Sequence, residues 1–329
     1  MSFFAVLFAL LIEQFKPLPT SNPVHHGLSG WARWVGRNFD AGDDSHARVV
    51  WTITALGPAL LAGLAYLAIH AYSDVLALAW DVLVLYMTLG FRQFSHHFTD
   101  IRDALDQGRE ERARELLAQW RHVDASDLPR SELLRHVIEY SLLAAHRHVF
   151  GVFFWFVAFS TMGLGPMGAV LYRMAEFMSR YWGYKSHTTG TPTHARLLGL
   201  SVQLFMWMDH VPARLTAFGF AVVGNFEEAV ESWRRHASLW LHPNEGIVLA
   251  AAAGALGVQL GGREAPTAGL DVSRTFGEGD GAEAGAASGS TGGIPPQMDH
   301  LRNVVALIWR SMVLWMLLLA LLSLANLIG

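Results

Sequence analysis

Apolar and polar positions fall in blocks along this chain. Val49–Ile69 carries no charged residue over 21 positions, and Ser311–Ile328 none over 18. As helices, each is long enough or nearly so to cross about 30 Å of hydrocarbon. Val75–Gly90 is almost as apolar but holds Asp81; a carboxylate at that depth must face protein or a polar cavity, and its plainest role is a hydrogen bond between helices. The opening MSFFAVLFALLIEQFKPLP has no basic start and no small-residue cleavage site, which predicts a retained helix and not a removed leader.

The stretch from Phe91 to Tyr140 has apolar residues at helical spacing among mixed charges. It predicts two amphipathic helices broken near Asp124–Pro129 by turn formers. Phe150–Tyr172 is apolar enough to span, but Gly163, Gly165, Pro166 and Gly168 interrupt its middle. Arginines crowd both flanks, so a re-entrant hairpin with both arms cytoplasmic satisfies the positive-inside rule better than a full crossing does. Further helical pieces follow to Gly261. Arg263–Gln297, rich in Gly, Ala, Ser, Thr and Glu, cannot bury enough apolar surface to order itself and reads as a flexible linker.

The predicted architecture is an all-α integral membrane protein. It has about four transmembrane helices, a re-entrant hairpin and cytoplasmic amphipathic helices. Residues 1–261 form the helical core, with 91–148 and 173–261 cytoplasmic; 262–297 form the linker and 298–329 the last transmembrane helix.

Composition agrees: 52% hydrophobic and 16% charged residues, with a mean hydropathy of +0.28, are membrane-protein values. A net charge of −4 gives no general nucleic-acid surface. The absence of cysteine removes disulfides, thiolate nucleophiles and cysteine zinc sites. No phosphate-loop, dinucleotide or serine-hydrolase motif stands in the chain. His96-His97 are adjacent and His146 and His148 two apart, so on a helix at about 100° per residue neither pair shares a face or makes a metal pair.

One segment is unlike the others: HPNEGIVLAAAAGALGVQLGG, His242–Gly262. Asn244 and Glu245 can cap its helix start, or hold a ligand where backbone N–H groups also attract anions. Its small residues permit close helix approach or leave room for a broad ligand. Glu139 and His146 lie two turns apart along one helix face and could share a polar pocket.

This segment resembles the stretch of the CobD/CbiB family of cobalamin-biosynthesis membrane proteins that opens on serine-proline-asparagine-alanine-glycine and closes on paired glycines. The resemblance extends to YRMAEFMSRYWGYK (Tyr172–Lys185), DHVPARLTA (Asp209–Ala217), DALDQGREERARELL (Asp103–Leu117) and NPVHHGLSGWARWVGR (Asn22–Arg37), in the family's order. It implies an ATP-dependent amide formation between cobyric acid and an aminopropanol arm, at a site using ATP and magnesium. Arginine's planar fork of donors suits phosphate or carboxylate, so the candidate residues for an anionic ligand, a corrinoid or another, are Arg214, Lys185 and Arg147, with Glu139, Asn244 and Glu245.

The chain departs from the family where acids or amides would serve magnesium. Leu143, Ala144 and Arg147 stand at such positions, as do the segment Glu176–Tyr181, with Ser179 at an acidic position, and the pair Phe205 and Met206. YSLLAAHRHVFGVFFW, LIEQF and RQFSHHF are similar to the AmpE proteins, inner-membrane proteins tied to cell-wall recycling and β-lactamase induction. Two functions therefore stay open: a synthase-like ligase, or a non-catalytic sensory or partner-binding protein. Either is expected as a multi-pass protein of the bacterial inner membrane, with the lipid bilayer as partner and no nucleic acid.

Overall fold

A computed structural model describes residues 2–15, 23–39, 44–121, 125–126, 128–188, 195–261 and 290–328. The protein is all-α. Its helices are α1 (Ser2–Phe15), α2 (Pro23–Phe39), α3 (Asp44–His70), α4 (Asp74–Thr88), α5 (Phe91–Asp106), α6 (Glu110–Arg121), α7 (Arg130–Ala145), α8 (Gly151–Thr161), α9 (Met167–Thr188), α10 (Ala195–Val223), α11 (Phe226–His236), α12 (Pro243–Leu256) and α13 (Met298–Ile328). The extended backbone among the described residues is limited to two isolated bridges.

Among the described residues, three helices are long and apolar enough to cross a membrane: Ser45–His70, Arg130–Thr161 and Met298–Ala325. The first and last match the two uncharged runs. The middle one alters the expected plan, because the second amphipathic helix and the first arm of the apolar hairpin are one continuous rod. One π-helical turn, His146–Phe150, joins α7 to α8. Gly151 is the one glycine between Arg130 and Thr161 and there is no proline; an isolated glycine weakens a helix without ending it, so the helix continues. By contrast α1, with 14 residues, and α4, with 15, are shorter than a crossing requires. The glycine-proline interruption does make the predicted turn, with Gly163 and Gly165 at φ 76° and 55°, conformations that favour glycine.

The chain divides into two compact units. The first comprises residues 1–93, 147–209 and 316–329. Within it α3 packs on α2, α4 and α9, α1 packs on α4, and α8 folds back on α9. Asp81 is buried there, as its place in an apolar helix required.

The second unit comprises residues 94–146 and 210–315. Its centre is α12, buried from Gly246 to Ala253 and packed against α11 and α7. A Cβ added to Gly254 would meet the carbonyl oxygen of Glu228 on α11, and one added to Gly246 would meet that of Ala237. Of the two uses open to the small residues, the structure takes close helix approach.

α12 ends on Gly257 in the left-handed conformation. The chain then runs extended through Val258–Gly261. There it pairs with residues 290–294: Gln259 N donates to Ile294 O at 2.8 Å, and Thr291 N to Leu260 O at 2.8 Å. The last part of the predicted linker, 290–297, is thus ordered against the end of the α12 segment. Residues 262–289 lie outside the described residues.

Candidate functional site

The first unit holds a charged centre on α9. Glu176 is buried, 1% exposed, and receives Arg173 Nη1 at 3.0 Å and Arg180 from one turn to either side. Their spacing is the reason: three and four residues along a helix bring side chains together. Burial alone would raise the Glu176 carboxyl, but the guanidiniums of Arg180 and Arg173, with His148 and Arg147, outweigh it and hold it at about 2. The π-helical turn supplies Arg147 and His148 to this centre. Such a turn shifts side chains off the regular helical register, and single π turns often occur at functional sites. Close by, the Tyr172 hydroxyl donates to Asp209 Oδ1 at 2.7 Å.

The second unit holds a half-buried carboxylate, Glu139. Glu139 Oε1 accepts from the backbone N–H of Gly261 at 2.7 Å and from Arg135 Nη1 at 3.3 Å. Arg135 also pairs with Glu132, one turn earlier on α7. His146, two turns from Glu139, instead bonds the Thr216 hydroxyl at 2.9 Å, so the pocket expected between Glu139 and His146 resolves into two separate contacts.

The predicted site residues distribute between these settings. Arg147 belongs to the Glu176 centre, whereas Glu139 clamps the end of the α12 segment. Asn244 is buried in the first turn of α12, with Glu245 half-buried beside it. Arg214 donates through Nη1 to the His210 carbonyl at 2.8 Å, one turn back on α10, and burial lowers its guanidinium from its ordinary range. The side chain of Lys185 lies outside the described residues.

Sequence reading missed Arg173, Glu176 and Arg180 as one unit, although the R-x-x-E-x-x-x-R spacing on a helix was a usable signal. The described residues do not fit a magnesium ion. Glu176 is taken by arginines, and Glu139 by an arginine and a backbone N–H. Among the described residues no three His, Asp or Glu side chains come together.

Fold and charge together define an all-α integral membrane protein that buries arginine-paired carboxylates. The chain belongs to the CobD/Cbib family, whose model, described as CobD/Cbib protein, matches residues 4–288. It is 29% identical to the cobalamin biosynthesis protein CobD of Stutzerimonas stutzeri, over 96% of each chain. It is 32% identical to the protein of the same name from Chromobacterium violaceum, over 77% of this chain and 80% of that one. No solved structure matches the chain.

Proposed function

We propose that this protein serves cobalamin biosynthesis as a multi-pass protein of the bacterial inner membrane, where it holds an anionic corrinoid precursor. The observation that carries the reading is the Glu176 centre, in which Arg147, Arg173 and Arg180 surround one glutamate. Guanidinium forks suit the carboxylates of a corrinoid or a phosphate on its side arm. In the second unit, Arg214 on α10, with Asn244 and Glu245 at the start of α12, is a separate candidate set for the same chemistry. Lys185 and Glu139 complete the candidates drawn from the resemblance.

Binding is favoured over amide formation because the carboxylates that would hold magnesium are already paired. Glu176, held ionised at about 2, has no proton to exchange near neutral pH. The ATP-dependent joining of cobyric acid to an aminopropanol arm is the second reading, supported by similarity along nearly the whole chain to proteins named for cobalamin biosynthesis.

One experiment separates them. Purified protein is equilibrated with cobyric acid and retention is followed by corrinoid absorbance. Arg147→Ala should lose retention if the α9 centre binds the ligand, and Arg214→Ala should lose it if the α10 and α12 set does. Equal retention by wild type and both variants overturns the binding reading. Growth of a cobalamin auxotroph that lacks its own synthase, on expression of this chain, establishes the amide-forming reading instead.

A further inference from the structure

α2 is an amphipathic helix with an unusual outer face. Its inner residues Ala32 and Val35 are fully buried, and Gly36 lets α9 approach so closely that a Cβ there would lie 2.8 Å from the Trp182 ring. Outward it presents Arg33, Arg37, Trp34 and Phe39, the last two 47% and 38% exposed. The exposed rings are ordered against their neighbours: Trp34 stacks on Trp31 at 5.4 Å and meets Phe39 edge-on at 6.0 Å. Arg33 donates Nε to the Ser29 carbonyl at 3.3 Å, and neither arginine has an acidic partner among the described residues.

Position limits what this face can meet. Five Cα steps separate Phe39 from Asp44, the first residue of α3, and α3 contains a helix long enough to cross a membrane. The end of α2 therefore lies within about 18 Å of a membrane boundary. Tyr181, next to Trp182 on α9, stands beside the same arginines: burial raises its hydroxyl, while Arg33 and Arg37 pull it back. Two guanidiniums, an indole and a phenol from two elements thus meet at one edge of the first unit. Tryptophan and tyrosine collect at headgroup depth because each pairs an apolar body with a polar tip. Arginine there binds lipid phosphate through its planar fork.

We infer that Arg33 and Arg37 of α2, flanked by Trp34 and Tyr181, form a binding site for the phosphate of an anionic membrane lipid. The inference does not rest on the corrinoid reading, since it uses no residue of the Glu176 centre. α2 lies flat at the headgroups, its buried side fixed to α3 and α9 and its outer side turned to the lipid.

The full chain is purified in detergent, stripped of lipid and titrated with phosphatidylglycerol or phosphatidylcholine, with bound lipid counted by native mass spectrometry. Wild type should retain phosphatidylglycerol in preference to phosphatidylcholine. The Arg33→Gln, Arg37→Gln double variant should retain it about thirtyfold more weakly, the loss expected of two surface arginines. A control, Arg112→Gln on exposed α6, should bind as wild type does. Inorganic phosphate at matched concentration should not displace the lipid. Equal retention by the double variant, equal retention of the two lipids, or displacement by inorganic phosphate each overturns the inference. Both arginines are exposed, so the variants should fold, which an unchanged thermal midpoint verifies.

Discussion

Two glutamates sit beside arginines, Glu176 buried in the first unit and Glu139 half-buried in the second, and they differ in what else they touch. Glu176 meets only charge from side chains: Arg173 and Arg180 on its own helix, with Arg147 and His148 from the π-helical turn. Glu139 meets the backbone, accepting from the N–H of Gly261 and so fixing the end of the α12 segment. An arginine-paired carboxylate is therefore not in itself a sign of chemistry. The one surrounded by a surplus of cations is the site proposed for an anion, and the one bonded to the main chain ties two segments of the second unit together.

The largest way to break this contrast is Glu176→Ala. Removing one partner of a buried ion pair leaves arginines uncompensated, and the cost should be about 3 kcal/mol, read as a fall in the unfolding midpoint in detergent. The pH dependence sharpens it. The Glu176 carboxyl is lowered from 4.5 to about 2 on folding, so its contribution is complete above 4.5 and is lost as pH falls from there toward 2. Glu176→Gln should lack that acid-dependent loss; a variant as acid-sensitive as wild type would contradict the assignment.

In the second unit the corresponding test is packing and not charge. Gly254→Ala drives a methyl group against the Glu228 carbonyl and should cost about 2 kcal/mol as overpacking, with no change in acid sensitivity. Glu139→Ala should cost less, about 1 to 2 kcal/mol, the price of one unsatisfied buried N–H. Hydrogen exchange at Gly261 should quicken in that variant, whereas Glu176→Ala should leave it unchanged. The smallest effect is expected from deleting residues 269–282, half of the stretch between Gly261 and Ser290. Halving a closed loop changes its closure entropy by only about 0.6 kcal/mol, so the unfolding midpoint should barely move.

Much of the fold was legible in hydropathy. The uncharged runs became α3 and the end of α13, and the glycines around Pro166 became a turn, because helix continuity and its interruption are local properties. The join of α7 to α8 was obscured by His146-Arg147-His148, whose polarity reads as an end to an apolar segment although the backbone passes through it. The site was less legible. Arg147 was singled out, but its setting with Arg173, Glu176 and Arg180 depends on a π turn that no residue spacing announces. The fate of the α12 glycines likewise depends on α11 and the turn after it, whose Glu228 and Ala237 carbonyls they admit.

The pairing of Gly257–Gly261 with residues 290–294 has a consequence for how such a chain can vary. Thr291 is held from both sides, its N–H donating to the Leu260 carbonyl and its hydroxyl accepting from the Leu260 N–H, each at 2.8 Å. Gly261 and Ser290, on either side of residues 262–289, therefore meet at a single stitched point. Because closure entropy changes slowly with loop length, the same stitch should hold with a longer or shorter sequence, or a whole inserted domain, between Gly261 and Ser290.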